Sequence, residues 1–195
     1  MGKAQQIKEK IIETTIKLLQ QSRGNTENIT IRDIAEKVGV GTGLINYHFG
    51  SKEKLIEICV QRIIGNVISV FNPRLHENLK ETDKLKEVAC QVMDFLISNP
   101  EISKISILGD MITPMIMDNT MRTVAGFCKV LNSGERDTKL LAYAFTLILQ
   151  GVFLRKDMTK ESLGFDFNQK QERDQFIHFI IDRIFGGTEY EDIDD

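Results

Sequence analysis

The residues able to carry out covalent or metal chemistry are few and widely separated. The 195-residue chain has three histidines and three cysteines: His48, His76, His178, Cys59, Cys90 and Cys128. None of them has the close spacing typical of a zinc site, so we expect no metal. No nucleophile–base pair and no glycine-rich phosphate loop is apparent, and we expect neither enzyme activity nor a cofactor. An odd number of scattered cysteines argues against disulfides and favours a reducing, cytoplasmic location.

A different kind of chemistry is indicated by residues 29–56, which read ITIRDIAEKVGVGTGLINYHFGSKEKLI. Two short amphipathic segments, Thr30–Val38 and Gly41–Phe49, are joined by a turn centred on Gly39. The second segment has no acidic residue and is rich in small and polar side chains. Two short helices separated by a glycine turn are typical of a DNA-binding helix-turn-helix.

Local signals support these two helices. Thr30 is a good N-cap, and Asp33 lies where its carboxylate can bind the first-turn amides. Gly39 suits the left-handed conformation that ends a helix. Gly41 and Gly43 are harder to explain, because glycine disfavours helices. They indicate either close approach to the floor of a DNA groove or a tight crossing with another helix.

The stretch resembles the N-terminal domain of the TetR/AcrR family of transcriptional repressors. The spacing matches the family pattern without an insertion or deletion. The matching residues are Thr30, Arg32, Asp33, Ile34, Ala35, Gly39, Val40, Gly43, His48, Phe49, Ser51, Lys52, Glu53 and Leu55. Gly41 and Thr42 stand where the family commonly has Ser and a basic residue, and Asn46 stands where it has Tyr. These positions face the DNA, so the operator sequence cannot be carried over from a relative.

The resemblance implies an all-α protein with an N-terminal three-helix DNA-binding domain and a larger helical regulatory and dimerisation domain. We place these domains at residues 1–50 and 51–188, followed by an acidic tail at 189–195. The implied function is a homodimeric repressor that binds a palindromic operator and is released by a small molecule.

The expected DNA contacts divide into two groups. Those facing the bases or lying close to the groove are Arg32, Gly41, Thr42, Gly43, Leu44 and Asn46. Those holding phosphates, and so fixing the register on double-stranded DNA, are Thr30, Tyr47, His48 and Lys52.

Charge is distributed unevenly along the chain. The net charge is −3, but residues 1–54 hold nine Lys and Arg against six Asp and Glu, whereas the remainder holds sixteen against twenty-two. Attraction to phosphate depends on local charge, so a basic N-terminal domain on an acidic body is compatible with DNA binding. The excess is modest and predicts a weak grip that improves when two domains bind together.

The remaining sequence predicts helices at 4–21, 51–70, 82–98, 101–108, from about 114 to 131, 137–155 and 171–185, with a polar loop at 156–168. The most apolar run, residues 140–154, contains Thr146, Gln150 and Gly151 and indicates a buried helix rather than a membrane span. The N-terminus lacks the apolar core of a secretion signal.

The last two long helices are apolar around much of their circumference, which predicts that a second subunit covers one side. The expected dimer interface is a four-helix contact formed by Leu141, Phe145, Ile148, Val152, Ile177, Ile180, Ile181 and Ile184. A wholly internal core is the alternative interpretation.

The centre of the chain is rich in methionine, which adapts to irregular cavities. We predict a pocket for an apolar effector lined by Met93, Phe95, Met111, Met115, Met121 and Phe127. Ordinary core packing is the alternative. If there is no pocket, the protein is instead a constitutive DNA-organising protein of the same fold that responds to no small molecule. An enzyme with an incidental helix-turn-helix is a third alternative that nothing in the sequence supports.

Overall fold

The computed structural model describes residues 2–22, 24–70 and 79–186, and over these residues the chain is helical and contains no strand. The all-α prediction is confirmed. The predicted acidic tail lies outside the described residues. The chain divides into two compact units, Met1–Val70 with Asn99–Asn119 and Phe71–Ser98 with Thr120–Asp195. This division differs from a boundary at residue 50, which stays a prediction about the DNA-binding domain.

The helices of the first unit are α1 (Lys3–Gln21), α2 (Ile31–Val38), α3 (Thr42–Phe49), α4 (Lys52–Val70) and α6 (Pro100–Ile112). α1 packs against α2 and α4, and α6 packs against α4. Fully buried Ile11, Leu19, Ile34, Ile45 and Leu55 form the core around the short helix pair. α2 and α3 therefore have the flanking support that eight-residue helices require.

A polar cluster joins α4 to α6 within this unit. The Gln61 amide donates a hydrogen bond to the buried carboxylate of Asp110 at 2.6 Å. The Asn119 amide donates to the Gln61 carbonyl oxygen (3.1 Å) and contacts the Ser106 hydroxyl (3.2 Å). Buried polar groups are costly unless they are hydrogen-bonded, so this cluster fixes one alignment of α6 on α4.

Cys59 also lies in the first unit, between α1 and α4. Its side chain has no exposed surface, and its sulfur lies 3.6 Å from the carbonyl oxygen of Ile12. Burial raises the pKa of the Cys59 thiol to about 12. The thiol is therefore protonated and unreactive at neutral pH.

The helices of the second unit are α5 (Glu81–Ser98), α7 (Asn119–Val130), α8 (Arg136–Arg155), α9 (Thr159–Leu163) and α10 (Lys170–Phe185). α10 packs against α5 and α8, and a cluster of aromatic rings formed by Phe127, Phe145 and Phe185 fills the space between α7, α8 and α10. The continuous helical stretch Arg136–Leu163 is long and apolar enough to cross a membrane by composition, but core helices pass the same test.

A buried arginine ties the second unit together. Arg173 on α10 donates to the Asp94 carboxylate at 2.6 Å and to the carbonyl oxygens of Phe167 and Asn168, both at 3.3 Å. Lys170 pairs with the same carboxylate at 2.6 Å. One guanidinium thus joins α5, α10 and the preceding loop.

Two segments between helices differ from the sequence prediction. α6 runs on to Ile112, and α7 begins at Asn119 rather than near Pro114, because Asp118 closes a turn with Met115. The predicted polar loop at 156–168 contains a short 3₁₀ helix (Lys156–Met158) and α9, which Gly164 ends with a φ of 67°. Thr159 stabilises this segment by donating to the Lys156 carbonyl oxygen.

Candidate nucleic-acid interface

The start of α2 is fixed by a reciprocal pair of hydrogen bonds. The Asp33 amide donates to the Thr30 hydroxyl oxygen, and the Thr30 amide donates to the Asp33 carboxylate, both at 3.1 Å. The Thr30 hydroxyl also donates to that carboxylate at 2.6 Å. These bonds from the Thr30 side chain and amide hold the pKa of Asp33 below its ordinary value. The sequence-predicted capping box is therefore formed, and the hydroxyl proposed for a phosphate already has an acceptor.

The turn between α2 and α3 is held from both sides. Gly39 adopts a φ of 79°, a left-handed conformation in which most other residues are strained, and its amide returns to the Ala35 carbonyl oxygen. The amide of Val40 reaches the same oxygen at 3.0 Å. From α1, the Lys10 ammonium donates to the Val38 carbonyl oxygen at 2.9 Å.

α3 has one buried and one exposed face. Ile45 and Phe49 point into the core, and the Lys8 ammonium lies 5.7 Å from the centre of the Phe49 ring. Tyr47 is 83% exposed. Of the predicted DNA contacts, those exposed are Thr30, Arg32, Gly41, Thr42, Gly43, Asn46 and Tyr47, and those half-buried are Leu44, His48 and Lys52.

Among the residues that the structure describes, none gives Gly41 or Gly43 a steric reason to lack a side chain. A Cβ atom added to Gly41 or to Gly43 would meet no heavy atom within 4 Å, and neither residue has a positive φ. A tight crossing with another helix of this chain is therefore excluded among the described residues. Close approach to the floor of a DNA groove, the other explanation offered by the sequence, stays a prediction.

α4 begins beside this face. Ser51 accepts a hydrogen bond from the Lys54 amide at 3.2 Å and so caps the helix. The Lys52 ammonium donates to the Thr26 carbonyl oxygen at 3.0 Å, which holds the loop before α2 against α4. An ammonium has three donors, so the remaining ones stay available for phosphate oxygens.

Sequence reasoning missed the positioning contacts of α1. Lys8 and Lys10 hold the ends of α3 and α2, and Arg62 on α4 pairs with Glu9 on α1. The Lys10 and Glu9 contacts join residues 28 and 53 positions apart, so the local pattern of α1 carries no signal for these partners.

Comparisons with known proteins agree with this geometry. Residues 11–59 match the model of the bacterial regulatory proteins of the tetR family. A TetR transcriptional regulator from Rhodococcus sp. RHA1 has the same fold with a TM-score of 0.66, at 13% identity, over 94% of this chain and 97% of that one. A TetR regulator from Streptomyces coelicolor superposes with a TM-score of 0.59 at 14% identity, over 94% and 97% of the two chains. Residues 11–59 therefore form a tetR-family DNA-binding domain, in a chain that has the fold of TetR transcriptional regulators.

Curated relatives of this chain include two named nucleoid occlusion factor SlmA. That of Haemophilus ducreyi is 27% identical over 97 residues. The match covers 50% of this chain and 48% of that relative, so the chain spans about half of the relative's length. That of Glaesserella parasuis is 24% identical over 181 residues, covering 85% of this chain and 87% of that protein.

The predicted dimer-interface residues of this chain do not share one surface. Phe145, Ile177 and Ile181 have no exposed surface in a single chain, so they cannot supply contact area to a partner without unfolding. Ile148, Val152, Ile180 and Ile184 are half-buried, and Leu141 is exposed. The exposed apolar residues on α8 and α10 are instead Leu140, Leu141, Tyr143, Leu147 and Phe179, which we name the apolar stripe.

The predicted effector-pocket residues are likewise divided. Met93 and Phe127 are buried and Phe95 is half-buried in the second unit, where Met121 is at the surface. Met111 and Met115 belong to the first unit and are exposed. The six residues therefore do not form one buried cluster within either unit, and the effector pocket stays a prediction.

Proposed function

We propose that this protein is a homodimeric transcriptional regulator, located in the cytoplasm, that reads a palindromic operator with α3. The observation that carries the proposal is the pair of glycines at the exposed start of α3. Their open surroundings would let the backbone of α3 come close to base edges, which a β-carbon at either position would prevent. Thr42, Asn46 and Arg32 flank this gap with side chains that hydrogen-bond to bases.

A dimer follows from the expected target. One short reading helix on a domain with a small positive excess binds weakly, and two identical helices reading half-sites about 34 Å apart bind far better. We propose that the apolar stripe forms the interface. It contains five large apolar residues on two adjacent helices, and it can meet its own copy across a two-fold axis.

Selection of bound duplexes from a random pool tests the reading function and yields the operator. We expect an inverted repeat with half-sites about one helical turn apart. Asn46→Ala should then relax the preference at one base pair per half-site by about 1–3 kcal/mol. A pool that returns no common sequence would contradict specific reading.

Lys52→Ala separates phosphate binding from structural support. Loss of a phosphate contact should reduce the slope of log affinity against log salt by about one per domain. Loss of the bond to Thr26 alone would weaken binding and leave that slope unchanged. Lys129→Ala, an exposed lysine on α7 in the other unit, is the matched control.

We further propose that an apolar small molecule releases the DNA by binding in the second unit near Met93 and Phe127. A compound present at 100 times its Kd adds about 2.7 kcal/mol of stability. For a chain of this size the expected increase in Tm is about 5–10 °C. A panel of apolar compounds should be screened for this shift and then for release of the operator.

A second candidate function is supported by the relatives named nucleoid occlusion factors. In this alternative the protein binds the chromosome constitutively and organises it without an effector. Mapping of occupied sites in cells separates the two functions. A few promoter sites, with a compound that releases them, would support the ligand-controlled repressor. Many dispersed sites and no responding compound would support the DNA-organising protein.

A further inference from the structure

The turn between α6 and α7 exposes an unusual amount of apolar side chain. The residues concerned, which we name the apolar turn, are Leu108, Met111, Ile112, Met115, Ile116 and Met117. Ile116 is 91% exposed and Ile112 is 78% exposed. Contiguous exposed apolar side chains of this kind on a folded protein mark interaction surfaces.

The backbone of the apolar turn is hydrogen-bonded. The Thr113 amide donates to the Gly109 carbonyl oxygen at 2.9 Å. The Met115 amide donates to the Asp118 carboxylate at 3.0 Å, and the Asp118 amide returns to the Met115 carbonyl oxygen at 3.3 Å. These bonds display Met115, Ile116 and Met117 outward in one conformation, and a preorganised surface loses less entropy on binding.

The exposed surface of the apolar turn carries no charge. Its neighbouring acids, Asp110 and Asp118, are both buried, and Asp110 accepts from Gln61. Lys104, the preceding basic residue of α6, pairs with Glu101 at 3.8 Å. An anionic membrane surface is bound through adjacent Lys and Arg, which residues 105–118 do not contain.

The absence of charge on the apolar turn favours a symmetric contact between two copies of the chain. When two copies of one chain meet across a two-fold axis, the same patch lies on both sides of the contact, so a patch with charges of one sign repels its copy. An uncharged apolar patch has no such penalty. A second copy of this chain therefore fits the apolar turn better than an anionic partner or a basic one.

The size of the apolar turn sets the strength of such a contact. The apolar turn supplies six exposed apolar residues. A stable interface buries about 800 Å² on each partner, from about 20–30 residues a side. Contact through this turn alone is therefore weak in free solution, and it becomes significant only where copies are held close together at an effective concentration of about 1 mM.

We propose that the apolar turn is a self-association surface through which DNA-bound copies of this protein contact one another. The turn belongs to the same compact unit as the helix-turn-helix, and α6 is fixed to α4 by the Gln61–Asp110 bond. Binding of several copies to one duplex would therefore raise the local concentration of their turns. This proposal rests on the proposed DNA binding and adds cooperativity to it.

The test compares duplexes of two lengths. A duplex of about 30 base pairs has room for one dimer, and one of about 200 base pairs has room for several. We expect the wild-type protein to bind the long duplex about ten-fold more tightly per site, with a steeper isotherm, as is typical of coupled sites. Ile116→Asp and Met117→Lys should abolish this difference and leave binding to the short duplex unchanged. Leu163→Asp, which alters a residue of α9 that is 76% exposed, is the control and should keep the difference between the two duplexes.

Each other outcome overturns a defined part of the proposal. Equal affinity per site on both duplexes, or cooperativity retained in both turn variants, would remove the self-association role. Binding of the wild-type protein, but not of Ile116→Asp, to phosphatidylglycerol–phosphatidylethanolamine vesicles would replace the second copy by a lipid surface. A compound that raises the Tm of the wild-type protein but not that of Ile116→Asp would assign the turn to the effector site.

Failure of the proposed function can be recognised separately. If no duplex binds, sedimentation of the free protein at high concentration still tests the turn. Species larger than the main one that disappear in Ile116→Asp would support self-association, and their absence from the wild-type protein would refute it.

Discussion

The ammonium of Lys10 on α1 lies 2.9 Å from the carbonyl oxygen of Val38, the last residue of α2. The last carbonyls of a helix have no partner within it, and a cation there also interacts favourably with the helix dipole. A residue of the first helix thus fixes the turn between α2 and α3. If α3 reads DNA as proposed, α1 helps to orient it.

Lys10→Met is therefore expected to loosen the helix pair. The bond is partly solvated, so the loss is about 1 kcal/mol of unfolding free energy, below the 1.5–3 kcal/mol of well-buried charged bonds. Affinity should fall for all duplexes alike, with no change in salt slope, because this ammonium is engaged with a carbonyl oxygen. Lys17→Met, an exposed lysine of the same helix, is the control. A changed salt slope in Lys10→Met alone would identify Lys10 as a phosphate contact instead.

Gly43→Ala separates stability from DNA binding. Alanine favours helices over glycine by about 0.5–1 kcal/mol, and the added methyl meets no atom of the chain, so the variant should unfold at a higher temperature. If α3 approaches the groove closely, the same methyl should weaken binding to DNA. Gly126→Ala on α7 is also free of steric conflict and should raise stability without affecting DNA. Unimpaired binding by Gly43→Ala would remove the main support for groove approach.

Leu147→Asp tests the apolar stripe as the dimer interface. The side chain is at the surface of one chain, so the monomer should still fold. In a dimer the carboxylate would be buried without a partner, which costs several kcal/mol and should produce monomers by sedimentation. Phe145→Asp should instead unfold the chain, because Phe145 has no exposed surface. A folded Leu147→Asp protein that remains dimeric would move the interface elsewhere.

Asp94→Asn tests the buried Arg173 contact. The expected loss is about 2–3 kcal/mol, less than the 3–5 kcal/mol of a fully buried pair because Asp94 is 37% exposed and screened by solvent. Burial raises the pKa of Asp94, but hydrogen bonds from Lys170 and Arg173 outweigh it and lower the pKa overall.

The pH dependence follows from that direction. The pKa of Asp94 is lower in the folded state than in the unfolded state, where it is about 4. Above the unfolded-state pKa the ionised carboxylate therefore contributes its full stabilisation. The contribution is lost as the pH falls further, through the lowered folded-state pKa. The stability difference between wild type and Asp94→Asn, measured by urea unfolding, should therefore be constant from pH 6 to 7 and shrink between about pH 4 and 2. A difference that grows on acidification would contradict the assignment.

Sequence periodicity located the long helices well because their ends carry local signals. α1 was expected at 4–21 and spans Lys3–Gln21, and the last helix was expected at 171–185 and spans Lys170–Phe185. Asn132, with a φ of 48°, lies in the gap between the helices predicted to end at about 131 and to begin at 137. The helix-turn-helix was equally accessible, since Thr30, Asp33 and Gly39 act within a few residues of their own position.

What the sequence could not reveal depends on partners distant in the chain. α8 is apolar on two sides, and the pattern does not say which side faces its own core, so Phe145 was assigned to the interface although it is buried. The methionines at 111 and 115 are close in sequence to Met121, yet they belong to a different compact unit. The segment 156–168 is polar, and the Arg173 contacts that hold its end come from a helix that follows it.

The buried thiol of Cys59 is a natural probe of how often the helices around it separate. Because its sulfur is sealed against Ile12, a thiol reagent can reach it only when α1 separates from α4. The rate of labelling therefore counts openings of the DNA-binding unit, without an introduced probe, and its change on adding DNA measures how firmly a bound operator closes that unit.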